Sequence, residues 1–289
     1  MSDNGNHHNH NDNDHPGAVA ALRAELARSQ QQVADLTAAQ EEFLRAVSHD
    51  LRAPLRHVTS YGALVREVLI DLPPEVQQLA DVQEAGRFLT TMDLSARRMG
   101  LMLDGLLAIE RARRALLRPE RVALRDALND ALNDAQAHLA ARAHVTNQLR
   151  TGQPSAASMH AIDWQVAADL PSLQADPVWL RELLGQLLGN AIKFSSHAAL
   201  PCIAVRSDAA PPGCVAFTVQ DNGVGFDPAR AGSLFGVFQR LHREGDFEGV
   251  GSGLALCRTI AQRHGGEITV TAQPHAGCTV RVQWPAAAP

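Results

Sequence analysis

Apolar residues recur at alternating intervals of four and three residues in two long stretches of this chain. The two runs consist of Leu22, Leu26, Ser29, Val33, Leu36, Gln40, Phe43 and Val47, and then of Phe88, Met92, Ser95, Met99, Met102, Leu106 and Ile109. This spacing puts one stripe of residues on one face of an α-helix, although Ser29 and Gln40 are polar members of the first stripe. The pattern therefore predicts two long helices, each with an apolar face that needs a partner.

Pro73 and Pro74 lie between the two runs. The residue before a proline disfavours the helical region, whereas a proline is tolerated in the first turn of a helix. We therefore predict that one helix ends near Leu72 and that the next begins shortly afterwards, which makes an antiparallel hairpin. Two such hairpins from two copies of the chain would form a four-helix bundle, so we expect a homodimer.

The pattern changes after a predicted linker around Leu117–Pro119, because strand and helix periodicities then alternate. Predicted helices cover 126–142, 177–194 and 253–264, and predicted strands cover 121–124 and 164–166, with hairpins pairing 203–205 with 215–219 and 268–271 with 280–284. This mixture indicates an α/β sandwich. The predicted order is a disordered polar tail (1–17), a coiled-coil helix (18–42), a helical dimerisation domain (43–115) and an α/β domain (118–289).

The composition excludes several classes of function. The net charge of −5 offers no bulk attraction for nucleic acid or an anionic membrane. No apolar run approaches the ~20 residues that cross a bilayer, and the polar N-terminus does not resemble a signal peptide. The four cysteines form no CxxC pair, and the histidines at 7, 8, 10 and 15 lie in a polar tail to which we assign no metal. We expect a cytoplasmic location with no membrane insertion.

His49 and Asp50 are adjacent within the first predicted helix. Phosphoryl transfer to histidine needs a neutral imidazole with one free ring nitrogen. A neighbouring carboxylate can accept the proton of the other nitrogen and fix the tautomer. Asp50 is therefore a candidate base or orienting residue for a nucleophilic His49. An ordinary surface His–Asp pair on a helix is the alternative.

Asn190 and Lys193 lie within one turn of each other on the predicted helix 177–194. An amide oxygen can coordinate Mg²⁺ without adding a formal charge, and a lysine one turn on can contact phosphate oxygens. Without further context, a helix-surface amide and a solvated charge explain the two residues equally well.

Two glycine-rich segments follow. Asp221 ends an apolar strand, where its carboxylate can accept the exocyclic amine of adenine, and Gly223 and Gly225 would let the backbone approach a base closely. A plain Asp-Asn-Gly turn is the alternative. The second segment contains Gly249, Gly251 and Gly253 at the start of a helix, where backbone amides attract phosphate, or else forms a flexible loop.

The segment between these glycines has the length of a mobile lid. Phe235 and Phe238 are predicted to anchor that lid by packing. Arg240 is either a ligand of the γ-phosphate or a surface charge. Together with Lys193, it would neutralise charge on a transferring phosphoryl group.

Five segments, taken in order, resemble the H, N, G1, F and G2 boxes of sensor histidine kinases of two-component systems. The matching segments are 43–55, 190–194, 221–226, 234–240 and 249–254. The resemblance implies a dimerisation and histidine phosphotransfer domain of the HisKA type, followed by a catalytic ATP-binding domain with the Bergerat fold. The first segment is similar to the corresponding box of phytochrome-like and hybrid kinases.

The resemblance also implies a function. His49 would be autophosphorylated from ATP in the presence of Mg²⁺, assisted by Asp50, and the phosphoryl group would pass to an aspartate of a response-regulator receiver domain. Asn190 would hold the metal. The residues implied to bind the nucleotide are Gln186, Asn190, Lys193, Asp221, Gly223, Gly225, Arg240, Gly249, Gly251, Gly253 and Leu254.

The chain departs from the family pattern in three ways. Gln186 replaces the asparagine usual four residues before Asn190, and related ATPases carry a water-activating glutamate there. Because Gln186 has no useful basicity, transfer to His49 is favoured over hydrolysis. Ala53, four residues after His49, lacks the polar group that would orient a water, so we expect weak phosphatase activity. No sensor domain is recognisable, so the signal would arrive through a separate sensor protein, the coiled coil or a fused domain.

Two other functions are consistent with parts of the pattern. A catalytically weak dimeric adaptor would dock a response regulator without transferring phosphate, although such a module would not need the glycines or Asn190. An ATPase of the gyrase or chaperone type would share the nucleotide site, but Gln186 and the His49 segment argue against it.

Overall fold

A computed structural model describes residues 15–149, 162–242 and 246–286 of the chain. The described chain divides into two compact units, residues 1–53 and 54–289. Residues 1–14 of the predicted tail lie outside the described residues, and the first three residues of helix α1 (His15–Ile70) overlap the end of that tail. The domain boundaries drawn from the sequence stay a prediction.

The first unit consists, in its described part, of the N-terminal portion of α1. Most apolar side chains of the first predicted stripe, from Leu22 to Phe43, are exposed in the single chain. Leu22, Val33 and Phe43 have exposed fractions of 65%, 60% and 65%. An apolar stripe of this kind is stable in water only when another surface covers it.

The second unit begins with the rest of α1 and continues through a short helix α2 (Pro74–Gln77) into α3 (Ala80–Arg114). Gln77 Nε2 donates to the carbonyl oxygens of Ile70 and Leu72, at 2.6 and 2.7 Å, and so satisfies the free carbonyls at the end of α1. The methyl group of Met92 lies close to Gly62, so that a Cβ atom at Gly62 would be 3.1 Å from it. The two long helices predicted from the heptad spacing are therefore present and pair as a hairpin.

The α/β part contains three helices and two sheets in its described residues. Its helices are α4 (Leu124–Leu149), α5 (Pro177–Ser195) and α6 (Gly253–Arg263), and its strands are β1 (Glu120–Ala123), β2 (Asp163–Val166), β3 (Ser172–Ala175), β4 (Cys202–Asp208), β5 (Cys214–Asp221), β6 (Glu267–Ala272) and β7 (Cys278–Pro285). The larger sheet has the order β2-β4-β5-β7-β6, and only the β2–β4 pair is parallel. β1 and β3 form a separate antiparallel pair.

The core lies between the larger sheet and the helices α4, α5 and α6. Helix α5 supplies most of its aliphatic side chains, because Leu180, Leu183, Leu184, Leu187 and Leu188 are all buried. Burial of a leucine contributes roughly 1.5–3 kcal/mol, so this face fixes α5 on the sheet. The opposite face of α5 is left free to carry polar residues toward the site.

The two hairpins predicted from the sequence are present as β4–β5 and β6–β7. Strand β3 was not predicted, and α4 extends beyond the predicted 126–142. The short strand β3 alternates between polar and apolar residues, but a run of four residues without a β-branched or aromatic side chain is too weak a signal to predict a strand. No described helix contains a stretch that is long and apolar enough to span a bilayer.

Asp176 forms hydrogen bonds with the start of α5, with the segment after α3 and with the end of α6. Its Oδ1 accepts from the backbone N–H groups of Val178 and Trp179, at 3.0 and 3.3 Å, and so caps α5. Its Oδ2 accepts from the N–H of Arg118 in the segment after α3, at 3.0 Å. Its own N–H donates to Nε2 of His264, at 3.1 Å, at the end of α6.

Candidate nucleotide site

A cavity of about 480 Å³ lies among α5, the end of β5, the segment before α6 and part of α3. Most of the residues predicted to bind a nucleotide line it. These are Gln186, Asn190, Lys193, Asp221, Gly225, Arg240, Gly249, Gly251, Gly253 and Leu254. A volume of this size falls in the range of small-molecule sites, and its mixture of apolar walls and a few polar groups is typical of them.

Asp221 is the buried acid of the cavity, with an exposed fraction of 7%. Its Oδ1 accepts from the N–H of Gly223 at 2.9 Å, and the residue lines the cavity. Burial raises the pKa of Asp221 to about 6, although hydrogen bonds from the backbone of Gly223 and Cys278 oppose the shift. A buried carboxylate in the cavity wall is suited to accept a hydrogen bond from a base, because each carboxylate oxygen can accept more than one.

Gly223 and Gly225 shape the loop after β5. A side chain at Gly223 would collide with the backbone of Phe194 in α5, and it is the one predicted glycine that does not line the cavity. Gly225 has φ +58° and lies against the carbonyl of Gln273, where a side chain has no room. Both glycines therefore permit close backbone packing behind Asp221, which is a positioning role.

Helix α5 presents polar groups to the cavity from its free face. Asn190 Oδ1 accepts from Lys193 Nζ at 3.2 Å, and Lys193 Nζ also lies 4.2 Å from the centre of the Phe194 ring. Burial, together with the charge of Arg240, lowers the pKa of Lys193 to about 8. The ammonium group is thus held beside the amide by contacts within α5.

Arg240 is bound to the backbone of the segment that leads into α6. Its Nη1 donates to the carbonyl of Gly249 and its Nη2 to the carbonyl of Phe247, each at 2.6 Å. Burial and the nearby charge of Arg98 lower the pKa of Arg240. Of the two sequence interpretations, the cavity-lining position favours contact with a ligand over a plain surface charge, and its role as a phosphate ligand stays a prediction.

The glycines before α6 adopt conformations that other residues avoid. Gly249 and Gly251 have φ values of +115° and +79°. Gly251 lies against the carbonyl of Gln239, and its own carbonyl accepts from the N–H of Phe238 at 3.0 Å. Gly253 begins α6 directly beside Gln186. The backbone amides at this helix start therefore lie next to the polar face of α5.

A cluster of aromatic rings around Phe247 anchors the segment that leads into α6, and this cluster was not predicted from the sequence. The buried Phe247 makes edge contacts with Phe194, His197 and His242, with ring centres 5.0, 5.1 and 5.3 Å apart. The predicted anchor Phe238 is instead 36% exposed. Phe235 packs partly against the core as predicted. In the sequence, Phe247 could have been recognised as an aromatic residue flanked by charged residues on both sides.

Part of α3 forms one wall of the cavity, which the sequence did not predict. Leu101, Asp104, Gly105, Ala108 and Arg111 line the cavity from this side. Gly105 packs directly against the side chain of Ser252 at the start of α6, so that any larger residue there would collide with it. Two residues about 150 positions apart in the sequence meet here, and no local sequence pattern predicts such a contact.

His49 and Asp50 lie in the first compact unit and are both exposed. Nδ1 of His49 is 3.1 Å from Oδ1 of Asp50, and the exposed side-chain fractions are 86% and 79%. An ionised carboxylate only accepts hydrogen bonds, so this contact favours the tautomer with the proton on Nδ1. Nε2 of His49 then carries its lone pair toward solvent, where it can act as a nucleophile.

Comparisons with known proteins agree with this fold. Residues 175–288 match the family model described as histidine kinase-, DNA gyrase B-, and HSP90-like ATPase. Cyanobacterial phytochrome A of Nostoc sp. is 29% identical over 90% of this chain and 29% of that protein. Methanogenesis regulatory histidine kinase FilI of Methanothrix harundinacea is 29% identical over 89% of this chain and 27% of that protein. Full-length ShkA, solved in complex with AMPPNP, shares the fold, with a TM-score of 0.54 and 23% identity over 86% of this chain and 47% of that chain.

The fold class predicted from the sequence, a helical region followed by an α/β domain of the Bergerat type, is therefore confirmed. The predicted resemblance to sensor histidine kinases is confirmed as well, and the class of enzyme that the relatives indicate is protein-histidine kinase. The chain spans less than half the length of the first curated relatives that it matches.

Proposed function

We propose that this chain is an ATP-dependent protein histidine kinase that phosphorylates its own His49 and passes the phosphoryl group to an aspartate of a response regulator. The observation that carries the proposal is the cavity in which Asp221, Asn190, Lys193 and the glycines before α6 converge. These residues come from three separated segments of the sequence. If each of these residues had only a structural role, there would be no reason for them to meet around one cavity of nucleotide size.

The chemistry of the cavity suits ATP. The carboxylate of Asp221 lines the cavity and can accept a hydrogen bond from the exocyclic amine of adenine. Lys193 and Arg240 carry positive charge where phosphates would lie, and the start of α6 offers backbone amides. Positioning and charge neutralisation of this kind supply most of the catalysis in phosphoryl transfer.

The donor atoms available for a metal fit Mg²⁺. Gln186 and Asn190 offer amide oxygens, which are hard ligands, and Mg²⁺ commonly takes only one or two protein ligands beside waters and phosphate oxygens. In the described residues, no group of three or more histidine, cysteine, aspartate or glutamate side chains could form an all-protein metal site. When bound, Mg²⁺ would neutralise charge on the phosphate oxygens.

The exposed His49 supports the transfer step. Nε2 of His49 attacks the γ-phosphorus, so that a P–N bond forms while the bond from phosphorus to the β–γ bridging oxygen breaks. ADP leaves with that electron pair, and Asp50 accepts or shares the proton of Nδ1 as positive charge develops on the ring. The response regulator's aspartate then takes the phosphoryl group from His49.

A homodimer is part of the proposal. The stripe along α1 and the face carrying Tyr61, Leu64 and Val68 are exposed in the single chain, at 66%, 54% and 62% for these three residues. A second copy would cover this surface and complete a four-helix bundle. A receiver domain and a separate sensor protein are the further proposed partners.

Incubation of the full chain with γ-labelled ATP and Mg²⁺ tests the proposal. We expect acid-labile, base-stable label on the unsubstituted protein, because a phosphoramidate bond has this stability. His49→Gln should abolish the label without loss of ATP binding, because His49 is exposed and belongs to the other compact unit. Asn190→Ala should abolish both the label and metal-dependent ATP binding.

Two results would contradict the proposal. Label retained in His49→Gln would remove His49 as the phosphoacceptor. Tight ATP binding with no label on the unsubstituted protein would favour the adaptor that docks a response regulator. Transfer of label to a receiver domain, lost when the receiver's aspartate is replaced, would support the second step.

A further inference from the structure

Glu182 is a charged residue of the cavity that the motifs leave without a role. It lies on α5 four residues before Gln186 and eight before Asn190, so that the three side chains follow one face of the helix at intervals of about one turn. All three line the cavity. Glu182 itself is exposed, whereas Gln186 and Asn190 are half-buried.

Glu182 determines which end of the Gln186 amide faces the site. Nε2 of Gln186 donates to Oε1 of Glu182 at 3.0 Å. A carboxylate can only accept, so the amide group that faces Glu182 must be the NH₂ end. The oxygen of Gln186 then points the other way, toward Gly253 at the start of α6, where a side chain on Gly253 would collide with it.

Asn190 is oriented in the opposite sense by Lys193, so that Nδ2 is the end of its amide nearest to Gly253. Lys193 Nζ can only donate, so the atom that faces it must be Oδ1 of Asn190. The two amides of α5 are therefore both fixed by flanking charged residues, Glu182 on one side and Lys193 on the other. Gln186 depends on Glu182 alone among the side-chain hydrogen bonds that the structure gives it.

We propose that Glu182 is a positioning residue for the metal–nucleotide complex, because it holds the amide oxygen of Gln186 toward the metal bound with ATP. This inference rests on the proposed function, since it assumes that ATP and Mg²⁺ occupy the cavity. A flipped Gln186 amide would present two N–H donors to a cation and lose a ligand. Outer residues that orient metal ligands commonly alter metal affinity by about 10–100-fold when replaced.

The test measures the Mg²⁺ concentration that gives half of the maximal ATP binding, by calorimetry on the full chain without any turnover assay. We expect Glu182→Ala to raise this concentration about tenfold, at the lower end of the range for such residues. Glu182→Gln should keep most of the affinity, because its side-chain oxygen can still accept from Gln186 Nε2. Thermal unfolding of each variant, followed in parallel, checks that α5 remains folded.

A double substitution separates positioning from a direct effect of the charge. If Glu182 acts through Gln186, Glu182→Ala should have no further effect in a Gln186→Ala background. Equal losses in Glu182→Gln and Glu182→Ala would show that the charge acts on the cation directly and would overturn the inference. An unchanged Mg²⁺ dependence in Glu182→Ala would overturn it too. Absence of ATP binding by the unsubstituted chain would overturn the proposed function itself, so the two failures are distinguishable.

Discussion

Replacement of Asp221 by asparagine is expected to weaken ATP binding about a hundredfold. The oxygen of an asparagine at this position would still accept from the N–H of Gly223, as Oδ1 of Asp221 does at 2.9 Å. Its NH₂ group would then face the exocyclic amine of adenine, so that one donor opposes another. A hydrogen bond to a charged group contributes roughly 1.5–3 kcal/mol, and an unmatched buried donor adds to that loss.

The same carboxyl group should make ATP binding depend on pH. Burial raises the pKa of Asp221 to about 6, so the carboxylate that accepts the adenine amine predominates only above that pH. As the pH falls through 6, the free protein takes up a proton that ATP binding must displace. The affinity should therefore fall, approaching about tenfold per pH unit well below 6.

Calorimetric titration with ATP and Mg²⁺ between pH 5.5 and 8 measures both effects. Because ATP also titrates in this range, the informative quantity is the difference between the unsubstituted protein and Asp221→Asn. Asp208→Asn is a suitable control, because Asp208 pairs with Arg281 and does not line the cavity. Equal affinities of Asp221→Asn and the unsubstituted protein would exclude Asp221 from base recognition.

Replacement of Trp284 by alanine should lower the free energy of unfolding of the α/β part by about 3–5 kcal/mol. Trp284 is fully buried, and its ring centre lies 4.7 Å from that of His264. Its Nε1 donates to the carbonyl of Gln174 at 3.0 Å and so joins strand β7 of the larger sheet to β3 of the smaller one. Truncation would leave a large cavity and an unpaired carbonyl at the junction of the two sheets.

Urea unfolding followed by tryptophan fluorescence is a selective measurement for this variant. The remaining tryptophans, Trp164 and Trp179, both belong to the α/β part, so the signal does not report on the helical hairpin. Trp284→Phe keeps most of the apolar volume but loses the hydrogen bond, and we expect a smaller loss of about 1–2 kcal/mol. A loss below 1 kcal/mol in Trp284→Ala would contradict the assigned role at the sheet junction.

Periodicity was enough to predict the helical hairpin and the two β-hairpins, because these elements follow from spacing within one segment. The cap at Asp176 and the glycines before α6 were predictable for the same reason, since each depends on neighbours in the sequence. Strand β3 was missed because its four residues include no β-branched or aromatic side chain. Its position depends on pairing with β1 and on the bond from Trp284, which are contacts between distant segments.

In the candidate site, too, features within one segment were predictable and contacts between distant segments were not. The motifs identified the residues that the structure brings to the cavity, but not the wall formed by α3 or the ring cluster around Phe247. The orientation of Gln186 was also beyond the sequence. A spacing of four residues shows that Glu182 and Gln186 can meet on a helix, whereas the rotamers decide whether they do.

The segment between α3 and β1 looks like a simple hinge in the sequence, but its backbone is tied to both helices of the nucleotide site. The N–H of Arg118 donates to Asp176, which caps α5, and the carbonyl of Ala115 accepts from Nη2 of Arg263 at 2.6 Å, in the last turn of α6. Helices α5 and α6 carry Asn190 and Gly253. A movement of the end of α3 would therefore act on these two hydrogen bonds, as well as on the contact between Gly105 and Ser252, and so on the two helices that carry the predicted nucleotide-binding residues.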